Sequence, residues 1–186
     1  IMRLLDMGAE GIYIPHIDGI EGAKQAVAAA RYPPMGHRGA SGGSRASRFG
    51  TTPWAEHVRS SNEEILLGVM CEDEKGISDI EKIAALDGID LVAIGPSDFA
   101  EYMGIREARC TPEQMRATFR ELAGRVKAIG KARLAAPIAH ATLPFTAQEA
   151  MAMGVGYCNV QPQPAAVLLR SMRERVESIH KAIGRS

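Results

Sequence analysis

Five short stretches of the chain are apolar at successive positions. They fall within DMGAEGIYIP (6–15), ILLGVMCE (65–72), LDGIDLVAIGP (86–96), ARLAAPI (132–138) and MGVGYCNVQP (153–162). A strand with one wet face alternates apolar and polar residues, and these do not, so they read as buried parallel strands. Three of them share one plan, in which a helix ends near glycine, β-branched residues follow, and proline closes the run.

The segments between them are amphipathic and carry helix start signals. Ser78 with Glu81, Thr111 with Gln114, and Thr146 with Glu149 each fit a capping box, and Asp18 with Glu21 is a looser version. Pro112 suits the first helical position, where its missing N–H is not needed. Met115, Phe119, Leu122, Val126 and Ile129 then form one stripe, ended by Gly130. Residues 164–183 predict a long terminal helix with Val167, Leu168, Met172, Val176, Ile179 and Ile183 on one face, a face that must cover this chain or a neighbour.

Strands alternating with helices define an α/β protein with a parallel sheet. Five such units fit a doubly wound sheet, or strands four to eight of a (β/α)8 TIM barrel. No glycine-rich dinucleotide fingerprint follows any strand, which weakens the first. The opening favours the second: Ile1 is no initiator, and LLDMG reads as the end of a helix already under way. The expectation is a single partial barrel domain over 1–186, lacking its first three βα units, with roughly 70 residues of a barrel of about 250 lying upstream.

Composition narrows the function. The chain is 46% hydrophobic, enough for a packed core, and its 22 basic and 22 acidic residues cancel. That leaves no electrostatic footprint for nucleic acid or an anionic membrane. No apolar run approaches the roughly 20 residues of a membrane helix. Cys71, Cys110 and Cys158 form neither a zinc-type pair nor a disulfide framework, which fits a reducing cytoplasm.

In parallel α/β folds the chemistry sits at the C-terminal ends of the strands. Those positions are Pro15 and His16; Glu72; Gly95, Pro96, Ser97 and Asp98; Pro137, Ile138 and His140; and Gln161, Pro162 and Gln163. VMCEDEKG (69–76) sets three acids directly against an apolar run, and only Glu72 directly adjoins it. Glu72 and Asp98 follow consecutive strands about 4.8 Å apart, so the two carboxylates can converge on one ion. Two carboxylates with open positions suit Mg²⁺, with Mn²⁺ and Co²⁺ also fitting; the alternative is a pair of solvated loop acids. In GPSD, Gly95 permits close backbone approach and Pro96 stiffens the turn. The amides of Ser97 and Asp98 then form an anion-binding nest.

The irregular stretch 31–50 carries Arg38, Arg45 and Arg48 among glycines and serines. It is either a lid or subunit-contact loop that meets an anionic substrate, or a solvated basic loop; Arg31 reads as solvated. His16, His37, His57 and His140 are each a possible base, and singly each reads better as a surface or packing residue. Asp6 ends a helix, where a negative charge opposes the dipole; by itself it reads as an exposed helix acid, and the conflict points instead to a fixed partner. Trp54 is expected to pack the loop against the barrel.

The segments LLDMGAEGIYIPHI, RYPPMGHRG, VMCE and GID followed by LVAIGPSDFAEYMG resemble, in order and spacing, the metal-dependent pyruvate aldolases. That family includes 4-hydroxy-2-oxoheptanedioate aldolase and 2-dehydro-3-deoxyglucarate aldolase, and the citrate lyase β subunit belongs to its wider superfamily. The resemblance runs strongly from residue 1 to about 104 and more loosely beyond. It implies a (β/α)8 barrel assembled as a homo-oligomer, commonly a hexamer, with the last helix exchanged between partners. It implies Glu72 and Asp98 as metal ligands, and the backbone of Gly95, Pro96, Ser97 and Asp98 around the pyruvate carboxylate. Asp6 matches an acid that orients a catalytic histidine, and the loop with Arg45 and Arg48 falls near the aldehyde and the neighbouring subunit. The implied reaction is reversible cleavage of a 4-hydroxy-2-oxo acid to pyruvate and an aldehyde, through an enolate stabilised by the divalent ion. No lysine Schiff base is needed, and Lys75, Lys127 and Lys131 lie in helices or turns. The family's proton-transferring histidine and pyruvate-gripping arginine fall before residue 1. Met70 stands where many members have glutamine. An acyl-CoA lyase of the citryl or malyl type, or an inactive barrel piece serving assembly alone, are the other readings.

Overall fold

A computed structural model describes residues 1–184. Its elements are α1 (Met2–Asp6), β1 (Gly11–Ile14), α2 (Gly19–Ala30), α3 (Trp54–Glu64), β2 (Leu66–Met70), α4 (Glu74–Ser78) and α5 (Ile80–Ala84). Then come β3 (Leu91–Ala93), α6 (Pro96–Met103), α7 (Pro112–Ile129), β4 (Arg133–Ile138), α8 (Ala147–Met153), β5 (Val155–Val160) and α9 (Pro164–Ala182). All five expected strands are present and every pair is parallel.

The strand order is β1-β2-β3-β4-β5, with no crossover. A doubly wound sheet reverses direction at a switch point; successive staves of a barrel do not. The sheet is also strongly curved. Laid flat, its two edges would stand about 19 Å apart at the usual strand spacing, yet the rings of Tyr13 on β1 and Tyr157 on β5 are 6.3 Å apart. Gly68 on β2 leaves the space that the Tyr13 ring fills.

Side chains divide between two layers. Ile12, Leu67, Val69, Cys71, Val92, Ile94, Leu134 and Ala136 point outward into a core shared with the helices. Leu91, Ala93 and Ala135 pack with Tyr13 and Met70 on the inner side. Because direction alternates along a strand, Met70 inward and Cys71 outward bring Glu72 back to the inside.

Local signals mostly act as expected. Thr111–Gln114 and Thr146–Glu149 form complete capping boxes, Pro112 opens α7, and Gly130 closes it in the left-handed conformation. Ser78 is a correction. It ends α4 and bonds the Lys75 carbonyl, because Asp73 has already started that helix by accepting the Gly76 N–H at 2.8 Å. Asp18 makes no side-chain cap either; the orphan N–H of Ile20 is met by Asp79 at 3.1 Å, while Asp18 pairs with Lys75.

Arg31 is the second correction, for it is buried rather than solvated. Its guanidinium donates to the carbonyls of Ser61, Asn62 and Ile65 at the end of α3, to the Gly88 carbonyl, and to Asp90 Oδ2 at 2.8 Å. Asp90 in turn accepts the Leu67 N–H at 2.7 Å. One side chain therefore satisfies a helix C-terminus and fixes the starts of β2 and β3. Trp54 packs edge-on against Tyr32 of the loop at 5.3 Å and is itself exposed. Replacing Arg31 with Leu leaves these acceptors unpaired and should destabilise the fold by about 3 kcal/mol. Urea unfolding should show a lower midpoint at unchanged slope.

Candidate functional site

Three side chains converge at the C-terminal rim of the strands. His16 follows β1, Glu72 follows β2 and Asp98 lies in the first turn of α6 after β3. One ligand atom from each lies within 4.8 Å of the others. Glu72 is 3% exposed, whereas His16 and Asp98 face solvent. Glu72 Oε1 accepts the backbone N–H of His16 at 2.9 Å, and His16 Nδ1 lies 3.2 Å from the same oxygen. Among the described residues no lysine or arginine pairs with Glu72.

The neighbouring acids of VMCEDEKG divide their roles. Asp73 caps α4, and Glu74 is exposed in its first turn. Only Glu72 turns into the mouth, and Gly95 makes that possible. A methyl group at residue 95 would occupy the position of Glu72 Oε2. Gly95 has φ −68° and ψ 114°, which any residue adopts, so glycine is required there for space rather than for backbone freedom.

Burial pushes the Glu72 carboxyl above its ordinary pKa, opposed by the His16 N–H and ring and reinforced by Asp98 and Asp73. A buried carboxylate with so little compensation calls for a cation. The donor set, two carboxylates and an imidazole around one open point, fits a divalent metal. Beside it, Pro96 starts α6 and has no N–H, and the first-turn amides of Ser97 and Asp98 have no intrahelical partner. A small cavity of about 130 Å³ lies on the inner side of the sheet, lined by Tyr13, Met70, Pro96, His140 and Tyr157.

The remaining candidates lie elsewhere. Asp6 has the fixed partner its position demands: Arg38, whose side chain is fully buried, donates to it at 2.8 Å. Arg38 also stacks over the Tyr32 ring at 4.6 Å. Arg45 and Arg48 line a separate cavity of about 700 Å³ with Gly8, Glu10 and Ile65. Those three residues precede β1 and β2, so the cavity opens at the opposite rim. The structure thus does not bring Asp6, Arg45 or Arg48 to the carboxylates of their own chain. The physical reason is connectivity: residues 31–53 join the end of α2 to the start of α3, below the sheet. His57 is buried against Tyr32, with Nε2 3.2 Å from the tyrosine hydroxyl, and serves packing.

Sequence reasoning undervalued His16 and missed Tyr13. His16 sits immediately past IYIP, a strand-end signal that was available. Its left-handed backbone, φ 51°, was not legible.

A curved parallel α/β sheet bearing carboxylates at its C-terminal rim defines a barrel-type enzyme scaffold. The sequence pattern of the HpcH/HpaI aldolase/citrate lyase family matches residues 1–155, and the chain belongs to that family. It is 42% identical over 131 residues to a 5-keto-4-deoxy-D-glucarate aldolase of Enterobacter sp. (strain 638), covering 70% of this chain and 50% of that protein. It is 40% identical over 131 residues to a pyruvate aldolase of Rhizobium etli, with the same coverage. The chain thus spans about half the length of the curated relatives it matches. The crystal structure of an HpcH/HpaI aldolase from Desulfitobacterium hafniense superposes with a TM-score of 0.77 at 28% identity, over 97% of this chain and 67% of that one. The citrate synthase SbnG shares the fold at a TM-score of 0.76 and 24% identity, over 98% and 68% of the two chains.

Two outcomes are expected. Gly95→Ala should fold normally yet lose at least tenfold in divalent-metal affinity, read by calorimetry, since second-sphere changes have effects of this order. Glu72→Gln should raise the melting temperature of the metal-free protein. A raised carboxyl pKa means that the folded state holds the proton more tightly than the unfolded chain. Its contribution therefore favours folding in acid and is lost as pH rises through the raised value. The advantage of Glu72→Gln should appear at neutral pH in EDTA and shrink as the buffer is acidified.

Proposed function

We propose that the protein containing this chain is a metal-dependent aldolase, a carbon–carbon lyase that cleaves a 4-hydroxy-2-oxo acid to pyruvate and an aldehyde. The observation that carries this reading is the convergence of buried Glu72 with Asp98 at the C-terminal rim, within a chain about 40% identical to proteins named as aldolases. Glu72 and Asp98 hold a divalent cation, with Mg²⁺ the first choice and Mn²⁺ or Co²⁺ also suited to oxygen donors. When bound, that ion supplies Lewis-acid polarisation of a 2-keto oxygen.

The chain's own groups do the positioning. The N–H groups of Ser97 and Asp98, at the positive end of α6, hold the substrate carboxylate. Gly95 keeps the backbone clear of Glu72, and Pro96 fixes the turn. Met70 and Tyr13 wall the inner cavity, so the methyl end of pyruvate meets apolar surface. A thioether at residue 70 gives no hydrogen bond to the keto acid, and its contribution is shape alone. The relatives' named substrate, 5-keto-4-deoxy-D-glucarate, carries a 2-oxo acid unit of the kind this arrangement grips.

Asp6, Arg45 and Arg48 act, on this reading, across a subunit boundary. They lie at the opposite rim of their own chain, so Asp6 serves to orient a histidine and the arginines to meet an anionic aldehyde in a neighbouring copy. The helix α9 supports assembly as well. None of its described residues is buried, although Leu168, Met172 and Ile179 are each more than half exposed on one face. This face packs on a neighbouring copy of the chain in a homo-oligomer, as an exchanged terminal helix. Among the described residues no helix is long and apolar enough to cross a membrane.

In the full-length protein, Glu72→Gln and Asp98→Asn should each abolish metal-stimulated exchange of the pyruvate methyl protons in D₂O, followed by NMR, while leaving the circular dichroism spectrum unchanged. Exchange at the wild-type rate in both variants would refute the assignment. EDTA should stop cleavage, and borohydride with substrate should leave activity intact; covalent trapping by borohydride would instead reveal a Schiff base.

A further inference from the structure

We propose that His16 is a third protein ligand at the cation site, and that its nitrogen shifts the site's preference from Mg²⁺ toward Zn²⁺, Co²⁺ and Ni²⁺. This deepens the reading of Glu72 and Asp98 as ligands and rests on it.

The first support is geometric. Around an ion with bonds of about 2.1 Å, adjacent ligand atoms of an octahedron stand about 3.0 Å apart and opposite ones about 4.2 Å apart. His16 Nδ1 and Glu72 Oε1 are 3.2 Å apart, close to an adjacent pair. Asp98 completes a triangle with no separation above 4.8 Å, so a small rotation of its exposed side chain closes the set.

The second is the way His16 is held. Its φ of 51° is left-handed, a conformation disfavoured for a residue with a Cβ. Two hydrogen bonds fix it: its own N–H to Glu72 Oε1 at 2.9 Å, and the Ile17 N–H to the Met70 carbonyl at 3.2 Å. The bend keeps the imidazole beside Glu72 while leaving it 66% exposed, so an ion arriving from solvent meets nitrogen and buried oxygen together.

The third is chemical. Glu72 is buried with no lysine or arginine partner among the described residues, so its charge is open to an ion. In the tautomer protonated at Nε2, Nδ1 presents a lone pair. Carboxylate and water donors alone suit Mg²⁺, whereas imidazole favours the later divalent metals.

The test is pulsed EPR of Mn²⁺ in the full-length protein, with calorimetric titration of Mg²⁺, Co²⁺ and Zn²⁺. Wild type should show ¹⁴N modulation from one coordinated imidazole. His16→Gly, in which glycine readily adopts the positive φ, should lose that modulation. It should also bind Co²⁺ and Zn²⁺ at least about tenfold more weakly, with Mg²⁺ affinity changed less than about threefold on the same scale. Absent ¹⁴N modulation in wild type, or modulation retained in His16→Gly, would overturn the role of His16. The carboxylate reading would survive that result if Glu72→Gln loses Mn²⁺. Wild-type Mn²⁺ affinity in Glu72→Gln would overturn both.

Discussion

Glu72 is a carboxylate buried in the mouth of a curved sheet with only a backbone N–H and an imidazole for company. An uncompensated buried charge is among the most expensive features a fold can carry, and several surrounding features accommodate this one. The inward–outward alternation of β2 aims the side chain inside. Gly95 vacates the volume it fills. The strained bend at His16 brings the donor N–H to it. These adjustments suit a group that could bind a cation, and they link sequence, packing and chemistry at one residue.

The two rims of the sheet have different duties. At the C-terminal rim, the segments after β1, β2 and β3 each supply one potential ligand, and the first turn of α6 supplies free amides. At the N-terminal rim, Arg31 ties α3 to the starts of β2 and β3, and Arg38 locks Asp6. The planar fork of Arg31 meets several acceptors at once, whereas Arg38 donates to Asp6 and stacks on the Tyr32 ring. Through Asp90, Arg31 fixes the starts of β2 and β3, the two strands that Glu72 and Asp98 follow. Arg45 and Arg48 are not absorbed by either network, which leaves them available to a neighbouring molecule.

Much of this was legible in the sequence, for identifiable reasons. The five strands announced themselves through apolar runs that do not alternate, although β5, at the sheet edge, is exposed from Gly156 to Asn159 rather than buried. The capping boxes at Thr111 and Thr146 are local, and local signals survive folding. The missing fingerprint weakened the doubly wound alternative, and the consecutive strand order then supported the barrel. The family likeness carried by GPSD and VMCE is matched by the family pattern over residues 1–155. What the sequence hid was long-range. Ser78 looked like a cap because its spacing to Glu81 is right, but Asp73 started the helix first. Arg31 looked solvated because it opens a long irregular stretch, yet its partners are 30 to 59 residues away. The loop arginines stood out because they lie in a long irregular stretch, and the rim on which they fall became visible only in the fold. His16 was seen as a strand-end residue, and only the folded backbone shows it leaning on Glu72.

The central claim is that Glu72 and Asp98 share one divalent ion. Anomalous diffraction from crystals of the full-length protein grown with Mn²⁺ tests it most directly. The account predicts one strong anomalous peak, with a carboxylate oxygen of each residue at about 2.1 to 2.2 Å. Mn²⁺ bound only elsewhere, or a clear map in which the two side chains point apart around no common peak, would contradict it.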